Sequence, residues 1–182
     1  LLTYPYGEYV LSGSSVGVWV AAIDKSYGKA EITEPIYYSV ESDNTTVGQA
    51  VINNDGYATL YGDGDVYFSA VTGEAYGSTM LHSVSNPDSI VIKNESDGSE
   101  VSSLSVSSGQ TVYLTADSVY QNINLTDSDE AYSWSVSDEN LGTISADGTF
   151  IPGNVSGTGT INVSAGSVSA SVNLTVSAGP EQ

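Results

Sequence analysis

Two acidic clusters and one histidine are the residues of this chain whose types and spacing suit chemistry. Asp63-Gly64-Asp65 and Asp127-Ser128-Asp129-Glu130 each set two or three carboxylates on what reads as a tight turn. Hard oxygen donors grouped in this way, with backbone carbonyls beside them, are the donor set of a Ca2+ site. Neither cluster opens an EF-hand loop. Aspartates are also ordinary turn formers, because their side chains bond the backbone two residues on, so solvated turn acids and a calcium site both stand as readings. A carboxylate pair at fixed separation is what glycoside hydrolysis needs, but acids on inter-strand turns are expected there for turn geometry alone. Acid–base or nucleophilic chemistry would have to pass through His82, the single histidine of a chain without cysteine. His82 stands in Met80-Leu81-His82-Ser83-Val84 and reads as a strand-end residue. The expectation is a chain that is not an enzyme.

Charge narrows the partners. Twenty-two acidic residues face only Lys25, Lys29 and Lys93, with no arginine, and the formal net charge is -19. The imbalance is a shortage of base. Phosphate-neutralising side chains are too few, which effectively excludes nucleic acid and docking to an anionic membrane face. An acidic, lysine-poor surface suits solubility, divalent cations and exposure to trypsin-like proteases outside a cell. Val16 to Ile23 is the longest apolar run, far short of the ~20 residues of a membrane helix, and reads as a central strand. The chain opens on Leu1 without a basic segment and apolar core behind it, the expectation for a processed or excised chain.

The elements that must position these residues are short strands. Val, Ile, Leu and Tyr alternate with Ser, Thr, Asn and Gly, and no stretch holds a helical apolar period. The chain also repeats itself. Tyr38-Ser39-Val40-Glu41-Ser42 recurs as Trp134-Ser135-Val136-Ser137-Asp138, and the same separation carries Ser12-Gly13 onto Ser108-Gly109 and Val16-Gly17-Val18 onto Val112-Tyr113-Leu114. Slightly closer together, Asp55-Gly56 matches Asp147-Gly148, and the run from Tyr67 to Gly73 matches that from Thr160 to Gly166. With a turn cluster at Ser85-Asn86-Pro87-Asp88, the reading is all-β: two tandem antiparallel β-sandwiches, residues 1–86 (Tyr-rich) and 87–182.

The second half, on Ser108–Ala116, Trp134-Ser135-Val136, Gly142–Phe150 and Gly157–Val163, resembles the bacterial immunoglobulin-like domains of invasin and intimin type. The first half carries the resemblance less fully, with Tyr38 where the tryptophan would stand. The resemblance implies immunoglobulin-like sandwiches on extracellular stalks, adhesins or enzyme appendages, and it supplies no catalytic residues.

The repeat also sorts side chains. Phe68 and Ala70 fall on Ile161 and Val163 and should point inward; Ala58 and Leu60 should do so beside the Phe150 position. Tyr57, Tyr61 and Tyr67 then face outward, a candidate contact patch for a glycan or a neighbouring subunit that Tyr37 or Tyr38 would extend. The apolar N-terminal segment, with Leu1, Leu2, Tyr4, Tyr6 and Tyr9, either completes strands of its own domain or adds a strand to a neighbouring copy; Pro5 favours an edge position. Of the N-x-[ST] sequons at Asn44, Asn94, Asn124, Asn154, Asn162 and Asn173, Asn44, Asn94 and Asn154 are loop-placed and the better glycosylation candidates. The functional expectation is an extracellular structural protein of a cell surface, a self-assembling subunit or a stalk module aided by divalent cations. Its rivals are a carbohydrate-binding or adhesion module and an accessory pair from a larger secreted hydrolase.

Overall fold

The computed structural model describes residues 1–23, 29–42, 49–52 and 56–179. They divide into two compact units, one of Leu1–Ser85 with Leu125–Ser128, the other of Asn86–Asn124 with Asp129–Gln182. Both are β-sandwiches. No helix among the described residues is long and apolar enough to cross a membrane.

The first unit holds β1 (Leu2–Tyr4), β2 (Tyr9–Leu11), β3 (Ser15–Gly17), β4 (Trp19–Ile23), β5 (Lys29–Ala30), β6 (Tyr37–Ser42), β7 (Gln49–Ile52), β8 (Tyr57–Tyr61), β9 (Gly64–Thr72) and β10 (Ala75–Val84). One sheet runs β2-β10-β9-β6. The other side is β1-β4-β5 and β3-β8-β7, joined through the single residue Val18 between β3 and β4. The second unit holds β11 (Ser89–Asn94), β12 (Ser103–Ser107), β13 (Val112–Tyr120), β14 (Ile123–Asn124), β15 (Ser133–Val136), β16 (Gly142–Ile144), β17 (Thr149–Pro152), β18 (Gly157–Ala165) and β19 (Val168–Ser177). Its sheets run β12-β19-β18-β15 and β11-β13-β17-β16, with β14 added on β13. In both units the strand that pairs parallel, β2 on β10 or β12 on β19, belongs to the sheet of the last hairpin. These are the two sheets of an immunoglobulin-like sandwich.

The sequence repeat is therefore a repeat of topology, and its landmarks have a common cause. The amide of Val18 donates to the carbonyl of Gly56 at 2.7 Å; the amide of Leu114 donates to that of Gly148 at 3.1 Å. Both glycines have positive φ, 81° and 80°. A Cβ on Gly56 would stand 2.8 Å from the Val18 oxygen and 3.1 Å from the Tyr38 hydroxyl, and one on Gly148 would stand 2.1 Å from the Leu114 oxygen and 3.5 Å from the Trp134 ring. The turn must pass under an aromatic ring and against a strand carbonyl, and only glycine fits there.

The last hairpin of each unit, β9 to β10 and β18 to β19, has a two-residue loop opening on Gly73 or Gly166, φ 54° and 56°, the positive-φ first position of a type II′ turn. Strand alternation then fills the cores. Val66, Phe68 and Ala70 point inward from β9 and Ala58 and Leu60 from β8; Val66, Phe68, Ala58 and Leu60 form one cluster with Val10, Val16, Val18 and Leu81. In the second unit Leu114, Phe150, Ile161, Val163, Val172 and Leu174 are buried. Fully burying a side chain of this size is worth about 1.5–3 kcal/mol.

The four residues Leu125–Ser128 lie along the outer edge of β2. Thr126 donates to the Tyr9 carbonyl and accepts from the Leu11 amide, both at 2.9 Å. Ser128 donates its amide to Ser14 Oγ, and its hydroxyl accepts from the Ser15 amide. Leu125 is buried. An edge that would otherwise present a row of unpaired backbone groups is thus covered.

Candidate functional site

His82 lies on β10, in register with Tyr9 on β2 and Asp65 on β9. Its Nδ1 is 2.5 Å from Asp65 Oδ1, and the Tyr9 ring stacks on the imidazole with centroids 4.6 Å apart. Asp65 is therefore a strand residue, not the turn acid expected, because the ladder to β10 begins at Gly64. Asp63 remains on the preceding turn, where its carboxylate accepts the Ser85 amide at 2.5 Å. The two acids of the first cluster have different partners.

The second cluster is divided as well. Asp127 belongs to the segment beside β2, while Asp129 and Glu130 form a 3-10 turn, Asp129–Ala131, in the second unit. Among the described residues no group of three or more His, Cys, Asp or Glu side chains is placed to hold a metal ion. Other acids are tied to their own turns. Asp97 accepts from the amide and hydroxyl of Ser99. Asp147 accepts from the Ser145 hydroxyl and the Thr149 amide. These bonds favour the charged form and hold both carboxyls below the usual aspartate range.

The three tyrosines expected to form one patch stand on opposite faces of the first sandwich. Tyr57 and Tyr61 point out from β8, in one sheet, and Tyr67 points out from β9, in the other. Tyr38 is half-buried against Gly56, and burial raises its phenol pKa.

Each outer face gathers aromatic partners, of which the sequence names only Tyr37 as an extension of the patch; it does share a face with Tyr67. On the β6-β9-β10 face, Tyr37, Val71 and Tyr76 are exposed and in register across three strands. On the other face Trp19, 62% exposed, lies over Gly17. A Cβ at Gly17 would meet the indole Nε1 at 3.0 Å, Cε2 at 3.2 Å and Cζ2 at 3.3 Å. Tyr57, the register partner of Gly17, meets the indole edge-to-face, with centroids 6.3 Å apart and planes at 71°. Beside them Ser15 and Thr59 are register partners whose hydroxyls are 2.8 Å apart, and Tyr61 closes the strand. The run from Val16 to Ile23 is thus not one central strand: it is divided at Val18 between β3, the edge of β3-β8-β7, and β4, the middle of β1-β4-β5, and its tryptophan faces solvent. The signal that would have found it is Gly17 two residues before Trp19, on the same face of the strand.

The N-terminal residues complete strands of their own unit. Leu2–Tyr4 pairs with β4, Tyr9–Leu11 with β10, and the Leu1 amine donates to the Tyr76 carbonyl at 3.4 Å. Tyr6 is exposed. Strand addition to another copy would have to break these ladders. Of the glycosylation candidates, Asn94 ends β11, not a loop, with its side-chain oxygen held by Ser96 of the same sequon. Asn154 is exposed and accepts from the Ser108 hydroxyl. Asn44 lies outside the described residues.

No family model matches the chain, and no curated protein does. Among solved structures it is similar to domains 5-6 of the S-layer protein SbsC, with 17% identity over 97% of this chain and 95% of that one, TM-score 0.40. It is similar also to domains 1-6 of SbsC (17% identity, 95% of this chain, TM-score 0.39), of which it spans 26%. A third is invasin, a bacterial integrin-binding protein, with 15% identity, 96% of this chain, 38% of that one and TM-score 0.33.

Proposed function

We propose that this chain is a non-catalytic, extracellular structural element of a cell surface, a stalk segment or assembly subunit made of tandem immunoglobulin-like modules. Duplication carries the reading. The same strand order and the same glycine-under-aromatic contact occur twice, and the described acids bond mostly to turn amides, hydroxyls and a strand neighbour, the use expected of groups that hold a scaffold. N-terminal strands already paired with β4 and β10 and a covered flank of β2 favour side-by-side or end-to-end contact over exchange of those strands. A chain of charge -19 repels its own copies unless cations screen or bridge it, so divalent cations enter as assembly aids.

Two measurements test this. Antibody labelling of intact source cells should stain the surface without permeabilisation; staining only after permeabilisation overturns the reading. Negative-stain microscopy with light scattering, with and without millimolar calcium, then separates its two forms. Particles that lengthen or spread into sheets with calcium support the assembly subunit. A monodisperse chain in both conditions removes assembly and leaves the stalk.

A further inference from the structure

We infer that the outer face formed by β4, β3 and β8 binds a neutral polysaccharide, with Trp19 as its main platform and Tyr57 bracing it. An indole that is 62% exposed adds little to the core, yet it is held in a fixed pose by the missing side chain of Gly17 on one side and the Tyr57 ring on the other. A ring held along a sheet matches the flat C–H face of a pyranose, and the hydroxyls of Ser15 and Thr59 beside it are partners for sugar hydroxyls. Tyr61 stands four residues beyond Tyr57 on the same side of β8, roughly 13 Å along the strand, far enough to meet a different sugar ring of one chain.

Charge and area choose this occupant. At a net charge of -19 an anionic glycan, or a second copy without bridging cations, is repelled, while an uncharged glycan is not. Three aromatic side chains of about 150–250 Å² each also fall short of the ≈ 800 Å² per partner typical of a stable protein interface. The inference is independent of the structural role above, because surface labelling and glycan binding are read separately.

The test is affinity electrophoresis of the full chain through gels containing hydroxyethylcellulose, laminarin, mannan or, as the anionic control, polygalacturonate. Tryptophan emission is followed in parallel titrations. At least one neutral gel should retard the protein, with a blue shift of emission. Trp19→Ala should weaken binding about tenfold or more and abolish the shift, Tyr57→Ala should weaken it less, and Tyr37→Ala on the opposite face should leave it unchanged. Melting curves confirm that the variants are folded, and Tyr57→Ala carries the test if Trp19→Ala is not. Three results would overturn the inference: no retardation by any neutral polysaccharide, retardation by polygalacturonate alone, or binding that survives both substitutions. A change in sedimentation of Trp19→Ala without any glycan effect would assign the face to a protein partner instead.

Discussion

Across the outer face of one sheet the first unit carries Tyr37, Val71 and Tyr76 in register; at the same three places the second carries Ser133, Ser164 and Ser169, also in register. On the other sheet Gly17, Trp19 and Tyr57 correspond to Tyr113, Thr115 and Thr149. Inside, the difference is of another kind. Each unit has one phenylalanine, supplied by opposite sheets: Phe68 from β9 in the first and Phe150 from β17 in the second, with Ile161 and Ala58 at the matching positions. Both rings are fully buried. The backbone and the glycine turns fix the frame, the core needs only enough apolar volume from either side, and the outer faces are free to specialise.

The sharpest way to break this comparison is at the shared glycines. Gly148→Ala sets a Cβ 2.1 Å from a backbone oxygen at positive φ and should cost more than about 4 kcal/mol, removing the second unit's transition in urea unfolding. Gly56→Ala, at 2.8 Å, should cost less. If the two cost the same, the turns are not equivalent constraints. Phe150→Ala and Phe68→Ala should each cost about 3–5 kcal/mol. Native-state hydrogen exchange should show the loss of protection confined to the unit that carries the substitution; loss spread over both would make the cores one cooperative system. The smallest effect is on pH. The Asp147 carboxyl is held below its unfolded value by Ser145 and Thr149, so its contribution is complete above about pH 4 and fades as pH falls through the lower folded value. Asp147→Asn should flatten this slope in the second unit's acid titration and leave the first unit's unchanged.

The sandwich class was legible because glycine turns and strand alternation act locally: Ala58, Leu60, Phe68 and Ala70 point inward as period-two patterning requires. The tyrosine patch was not, because alternation tells in from out but not which sheet a strand joins, and Tyr61 and Tyr67 stand only six residues apart. Trp19 escaped notice inside an apolar run, where hydrophobicity reads as burial. Asp127 looked like a turn acid because the partner of its segment, β2, lies more than a hundred residues away.

That segment has a consequence for the order of synthesis. The first unit is not complete when Ser85 leaves the ribosome; its edge cover, Leu125–Ser128, follows about 40 residues later, roughly two to eight seconds at ordinary elongation rates. For that interval the nascent chain carries a nearly finished sandwich with the flank of β2 bare, an unpaired edge of the kind that finished folds keep covered.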